Sequence, residues 1–253
     1  MMSIARFGWS RDLPDHRDHV HSPLTLALPA LYDLRSLEFG MIPVYDQGDF
    51  GSCTANMGAA MAQYLFLKEA LSDQSVPSRM FLYYNERVIE GTPSFDSGAQ
   101  CRDALKCLST IGSIPETLYP YTSANLTAQP PAQCYVEAKW ELATEYASVP
   151  QTRDAIKQTV FSGLPVGFGF SVYSSFMSDS VAKTGMVPMP VLFEKRVGGH
   201  AVVIVGYNDD MQRYIVRNSW SALWGDKGYF YMPYNYVEST SLASDFWVLK
   251  KVN

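Results

Sequence analysis

Long apolar runs are missing from this chain of 253 residues; nothing in it approaches the roughly eighteen consecutive apolar residues of a membrane span. No membrane partner is therefore expected. The N-terminus, MMSIARFGWSRDLPDHRDH, has no apolar core followed by a small-residue cleavage site. A secretory signal is not expected either, which leaves a cytoplasmic protein or one exported by a non-classical route. Basic clusters are equally missing, and the net charge of -5 argues against nucleic acid as a partner. Internal repeats and low-complexity segments are absent. Hydrophobic residues make up 47% and charged residues only 18%, enough apolar material for one large domain, or two small ones, around a core.

Cysteine and histidine are scarce, four of each. The cysteines stand at 53, 101, 107 and 134. Residues 101 and 107 share a candidate helix, where six steps of about 1.5 Å set them roughly 9 Å apart. That exceeds the limit of about 7 Å between Cα atoms in a disulfide, so these two should not pair. Cys134 has the reach to pair with one of them, against the plainer alternative of three buried thiols. Three histidines, His16, His19 and His21, crowd into a polar arm without cysteine or ordered acidic ligands nearby, so neither metal nor cofactor is expected. His200 alone lies in the body of the chain.

Residues 1–28 read as an extended arm and 29–253 as the main domain. In 53–71, Met57, Ala60, Met61, Tyr64, Leu65 and Lys68 follow helical spacing, with Ser52 at the N-cap position. Further helices are predicted near 79–90, near 100–111 with a stop at Gly112, and over Thr152–Phe161. Strand patterns cover Leu164–Val172, His200–Tyr207, Arg213–Asn218, Gly228–Met232 and Phe246–Leu249. Helices first and strands second predict an α+β fold with a helical lobe over about 45–135 and a β-rich lobe over about 136–250, crossing near Gln129–Ala132.

Cys53 opens the first helix, where unpaired N–H groups and the helix dipole favour a thiolate. Taken by itself it reads better as a small packed hydrophobe. A thiolate nucleophile needs an acid/base partner, and His200, at the head of the apolar strand HAVVIVGY, is the well-placed one. Asn218, ending the next strand, has an amide to fix the tautomer of that ring, with Trp220 to cover the bond. Gln47 lies six residues before Cys53 in DQGDFGSC, where Gly48 and Gly51 let the chain turn back. Its amide and the Cys53 N–H then form a candidate oxyanion hole. Each residue has a bland structural reading; all four in this order do not.

The set QGxxGSC, GHAV and NSWxxxWGxxGY resembles the papain/cathepsin family of cysteine peptidases, over roughly residues 29–250. Leu34-Arg35 and Ile42-Pro43-Val44 look like that family's mature N-terminal region. The resemblance implies a two-lobed fold, helical lobe first and β-barrel-like lobe second, with the active-site cleft between them. It implies hydrolysis of peptide or protein substrates through a thioester on Cys53, with His200 as general acid/base, Asn218 orienting it and Gln47 at the oxyanion. Trp220 and Trp224 match the flanking aromatics; Gly98 and Ala99 match the segment that pairs with substrate backbone. Gly169 and Ala201 would face the main side-chain pocket, with Cys101 near its rim. The variant GSCTAN looks like the family's bacterial branch.

Departures accompany the match. Thr54 stands where an aromatic residue usually follows the nucleophile, and Phe50 replaces a cysteine used in a disulfide. A long helical pro-segment is missing, with about 28 residues in its place. Two alternatives keep the same scaffold: an acyl transferase, separated from a hydrolase by the mass of its products, and a non-catalytic binding protein, against which all four polar residues argue. The arm, with Phe7, Trp9 and Leu13 among polar neighbours, either crosses the cleft as an intramolecular inhibitor or straps the back of the protein.

Overall fold

The computed structural model describes residues 7–37, 42–71, 75–140 and 143–252; the first six residues of the arm lie outside it. Helix α1 (Cys53–Lys68) is the axis of the molecule, buried continuously from Cys53 to Phe66. One side of it meets α2 (Arg79–Ile89) and α3 (Cys101–Thr110), the other the main sheet, which is why its burial goes beyond a single amphipathic stripe. Gly58 allows the close approach to α3: a Cβ there would lie 3.2 Å from the Cβ of Ala104.

Ser78 caps α2, its hydroxyl accepting from Phe81 N, and Thr152 caps α5 (Arg153–Phe161) through Ala155 N. Ser52 holds the N-cap position of α1 without making the side-chain cap that its type predicts. Its hydroxyl instead meets the Tyr121 hydroxyl and accepts from Asn56 Nδ2 at 3.1 Å. The first turn of α1 is thereby left without a capping oxygen beside Cys53.

A seven-stranded sheet carries the second half of the chain. It comprises β2 (Leu31–Asp33), β4 (Ala143–Ser148), β5 (Val166–Tyr173), β6 (Arg196–Asn208), β7 (Arg213–Arg217), β8 (Tyr229–Pro233) and β9 (Ala243–Val252). The strands run β4-β9-β5-β6-β7-β8 with all pairings antiparallel, and β2 adds to the far end of β6. This is the α+β fold expected, with an open path of strands in the β-rich half. Strand β9 is longer than its apolar pattern indicated, and β4 and the short helices α4 (Ala132–Glu137), α6 (Asp179–Thr184) and α7 (Tyr234–Glu238) carried no readable signal. All four cysteines are free and buried.

The arm contributes β1 (Trp9–Ser10), which pairs in parallel with β3 (Ala99–Gln100). Beyond it the chain runs along the outside. Arg102 holds Asp18 at 2.7 Å, Ser148 exchanges backbone bonds with His19 and His21, and Gln158 holds both backbone polar groups of Leu26. Residues 7–10 thus lie against β3, and 11–26 run along the outside.

Candidate active site

The start of α1 and the strands β6 and β7 bring the four polar residues together. Cys53 is fully buried, and the backbone of Ala201, next to His200, hydrogen-bonds its sulfur. His200 Nε2 lies 2.8 Å from Asn218 Oδ1, and the same oxygen accepts the Ser219 N–H at 2.8 Å. Because a backbone N–H must meet an oxygen, the Ser219 bond fixes which way the Asn218 amide faces. His200 Nε2 therefore carries the proton, and Nδ1 is left with a lone pair and no protein partner. Trp220 stacks on the imidazole with centroids 4.8 Å apart, shielding the bond to Asn218 from water. Trp224 stands behind Trp220, edge-on at 5.1 Å and stacked on Phe176.

Gln47 is buried and held at both ends of its amide: Ser219 Oγ donates to Oε1 at 2.6 Å, and Nε2 donates to the Phe50 carbonyl at 2.9 Å. Arg79 secures this turn from beneath. It pairs with Glu116 at 2.7 Å while Nη1 donates to the Asp46 carbonyl and to Asn56 Oδ1. Asp96 joins the loop before Cys53 to the opposite wall, accepting from Gly51 N and from the Tyr83 hydroxyl, which in turn accepts from Gly98 N.

Thr54, which departs from the aromatic usual at its position, donates to buried Glu86 Oε2 at 2.6 Å. Burial raises the Glu86 carboxyl well above its ordinary range, against the Thr54 bond. Its charge, when present, adds to burial in raising the Cys53 thiol. Sequence reasoning had no means to find this pair, since its two members are 32 positions apart.

The arm closes the site. The Gly8 carbonyl accepts from Ala99 N at 2.8 Å, and the Gly8 backbone also hydrogen-bonds the Cys53 sulfur. Only glycine fits here, because a Cβ would lie 1.7 Å from the Gly51 carbonyl oxygen. A Cβ on Gly98 would likewise meet the Gly8 oxygen at 2.1 Å. Phe7 packs edge-on to His200 at 6.4 Å and covers Gly198. Trp9 lies against Gly169 and Gly199: a Cβ on Gly169 would be 2.0 Å from the indole. Of the residues expected to bind substrate, Gly98, Ala99 and Gly169 touch the arm. Ala201 pairs with Gly169 across β5 and β6, and Trp224 supports the aromatic wall. Cys101 is buried at the start of α3.

Burial also shifts both titrations. It pushes the Cys53 thiol up to about 11, backbone bonds from Ala201, Gly8 and Thr54 opposing, and lowers His200 to about 4, the Asn218 bond opposing. The lowered thiol pKa expected from the helix start does not hold in this closed state, because desolvation outweighs the favourable dipole. Cys53 and His200 are accordingly a neutral thiol and a neutral imidazole here.

Sequence and structure comparisons agree with this geometry. The model of the papain family of cysteine proteases matches residues 28–248. An uncharacterised peptidase C1-like protein of Acanthamoeba polyphaga mimivirus is 38% identical, covering 97% of this chain and 87% of its own. The thiol protease aleurain of Arabidopsis thaliana is 32% identical over 84% of this chain, which spans 58% of aleurain's length. Among solved structures, xylellain, a cysteine protease from Xylella fastidiosa, superposes with a TM-score of 0.93 at 39% identity, covering 100% of this chain and 98% of that one. The chain belongs to the papain family and is a cysteine peptidase, a hydrolase of peptides or proteins.

Proposed function

We propose that Cys53 is the nucleophile, His200 its general acid/base, Asn218 the group that orients the imidazole, and Gln47 an oxyanion donor. The observation that carries this is the Ser219–Asn218–His200 chain of hydrogen bonds, which leaves Nδ1 unprotonated in the neutral ring. A proton passing from the Cys53 thiol to Nδ1 gives a thiolate–imidazolium pair. The thiolate adds to the scissile carbonyl, and the oxyanion is held by the Gln47 amide and the Cys53 N–H. His200 then protonates the departing amine, leaving a thioester, and finally takes a proton from the water that hydrolyses it. Residues 29–253 are the catalytic domain in this reading, with Gly98, Ala99, Gly169, Ala201 and Trp224 around the bound peptide. The kinship of GSCTAN with a bacterial branch is supported by the similarity to xylellain.

The arm, residues 1–28, acts as an intramolecular inhibitor. Its Gly8 carbonyl accepts from Ala99 N while the Gly8 backbone hydrogen-bonds the Cys53 sulfur, so the arm occupies the space beside the thiol. By excluding water it also keeps Cys53 and His200 neutral, and its departure lets them ionise. A plain peptide substrate tests the chemistry: products carrying one added water support hydrolysis, and capture of an added amine in its place indicates a transferase. Loss of turnover in Cys53→Ala is expected, and retained turnover refutes the assignment.

A further inference from the structure

Glu86, on α2, is a fully buried carboxyl that no step of the reaction above uses. Its Oε2 accepts the Thr54 hydroxyl at 2.6 Å, and its Oε1 has no hydrogen-bond partner among the described residues. The cation beside it is committed elsewhere. Arg87 donates to the carbonyls of Tyr83, Pro93, Phe95 and Leu126, and makes no ion pair with Glu86. The remaining titratable groups that face Glu86 are the Cys53 thiol of α1, the Glu90 carboxyl of α2, and Asp103, Cys101 and Cys107 of α3. None of these supplies a positive charge. A buried carboxyl with one neutral donor and two carboxyl neighbours is held in its protonated form.

The partner of this carboxyl stands next to the thiol. The Thr54 N–H hydrogen-bonds the Cys53 sulfur while the Thr54 side chain reaches back to α2. The cap does not hold this turn, because the Ser52 hydroxyl is engaged with Tyr121 and Asn56. The bond to Glu86 therefore ties the first turn of α1 to α2 at the residue after the nucleophile. An ionised Glu86 would raise the Cys53 thiol and oppose the thiolate, so the tie suits the chemistry only as an uncharged acceptor.

We propose that Glu86 is a positioning residue for the peptidase reaction: uncharged, it holds the Thr54 hydroxyl and so keeps the Thr54 N–H on the Cys53 sulfur and the Cys53 N–H toward the oxyanion. This inference rests on the reading that Cys53 is the nucleophile.

The test measures kcat and KM for one peptide as a function of pH, in the full chain carrying Trp9→Ala so that the cleft is open. Glu86→Gln keeps an acceptor without charge, and Thr54→Ser keeps the hydroxyl. Both should retain the parent kcat and the parent acid limb. Glu86→Ala and Thr54→Val should each lower kcat about tenfold with little change in KM. Each should also move the acid limb up by about one pH, because the thiolate loses a fixed donor. The double variant should be no worse than either single one, as for two members of one bond. An acid limb that falls in Glu86→Gln would show a charged carboxylate in the working enzyme and overturn the proposal. So would Thr54→Val with unchanged kcat and pH profile, a measurement that stands even where Glu86→Ala does not fold. Failure of the Cys53 assignment shows separately, as turnover that survives Cys53→Ala in the same background.

Discussion

Trp9→Ala in the full chain is the sharpest probe of the closed state, because the indole is the largest arm side chain placed in the cleft and is itself buried. An aromatic side chain of this kind buries about 200 Å². At about 25 cal/mol per Å² that is roughly 5 kcal/mol as an upper figure. Ordering the arm offsets part of it, so truncation of a buried aromatic anchor should weaken docking by about 2–4 kcal/mol. The open fraction then rises about 30- to 1000-fold, until open molecules predominate. A small thiol-directed epoxide reacts with Cys53 only in open molecules, and its second-order labelling rate reads that fraction directly. Wild-type protein should label slowly and Trp9→Ala faster by at least the lower figure, with the circular dichroism of the folded protein retained. A folded Trp9→Ala that labels within twofold of wild type would show that the arm restrains nothing.

Three further outcomes follow from other parts of the site. Gly8→Ala removes no contact but drives a Cβ to 1.7 Å from the Gly51 carbonyl, so it should open the cleft and speed labelling as Trp9→Ala does; an unchanged rate would mean the close approach is not needed. Burial and the neighbouring Asp245 push Asp12 up to about 7, with the Arg102 N–H, Trp247 and the Arg102 charge opposing, so the docked arm binds a proton that the free arm does not. Docking is therefore strongest well below pH 7 and weakens as pH rises through it; Asp12→Asn should flatten this dependence of labelling, and a wild-type arm that loosens on acidification would contradict the sign. Gln47→Ala in an opened enzyme should lower kcat about 10²–10³-fold with little change in substrate binding, and a change confined to KM would make Gln47 a positioning residue.

The candidate site was more legible than the docking of the arm, for physical reasons. Cys53 announced itself by standing at the head of a periodic helix, and His200 by being the one histidine in the body of the chain. Asn218 and Gln47 were found through short motifs whose glycines and strand ends constrain the local backbone. The resemblance placed Gly169 at a side-chain pocket, but its meeting with Gly199 and Asp245 had no such signature, since they come together only through the pairing of β5, β6 and β9. The raised pKa of Cys53 was hidden for the same reason: a helix start favours a thiolate, and the burial that reverses it is created only by the tertiary fold. Ser52 shows the limit of local rules at the cap itself, where a neighbouring tyrosine took the hydroxyl that sequence assigned to the helix.

The central claim, that Cys53 carries the reaction, is tested most directly by hydrolysis of a peptide substrate by Trp9→Ala protein with and without Cys53→Ala. Turnover should disappear with the thiol, while Cys101, Cys107 and Cys134, all buried, should each be replaceable with substantial activity kept. Undiminished hydrolysis by the folded Trp9→Ala, Cys53→Ala protein would contradict the account at its root.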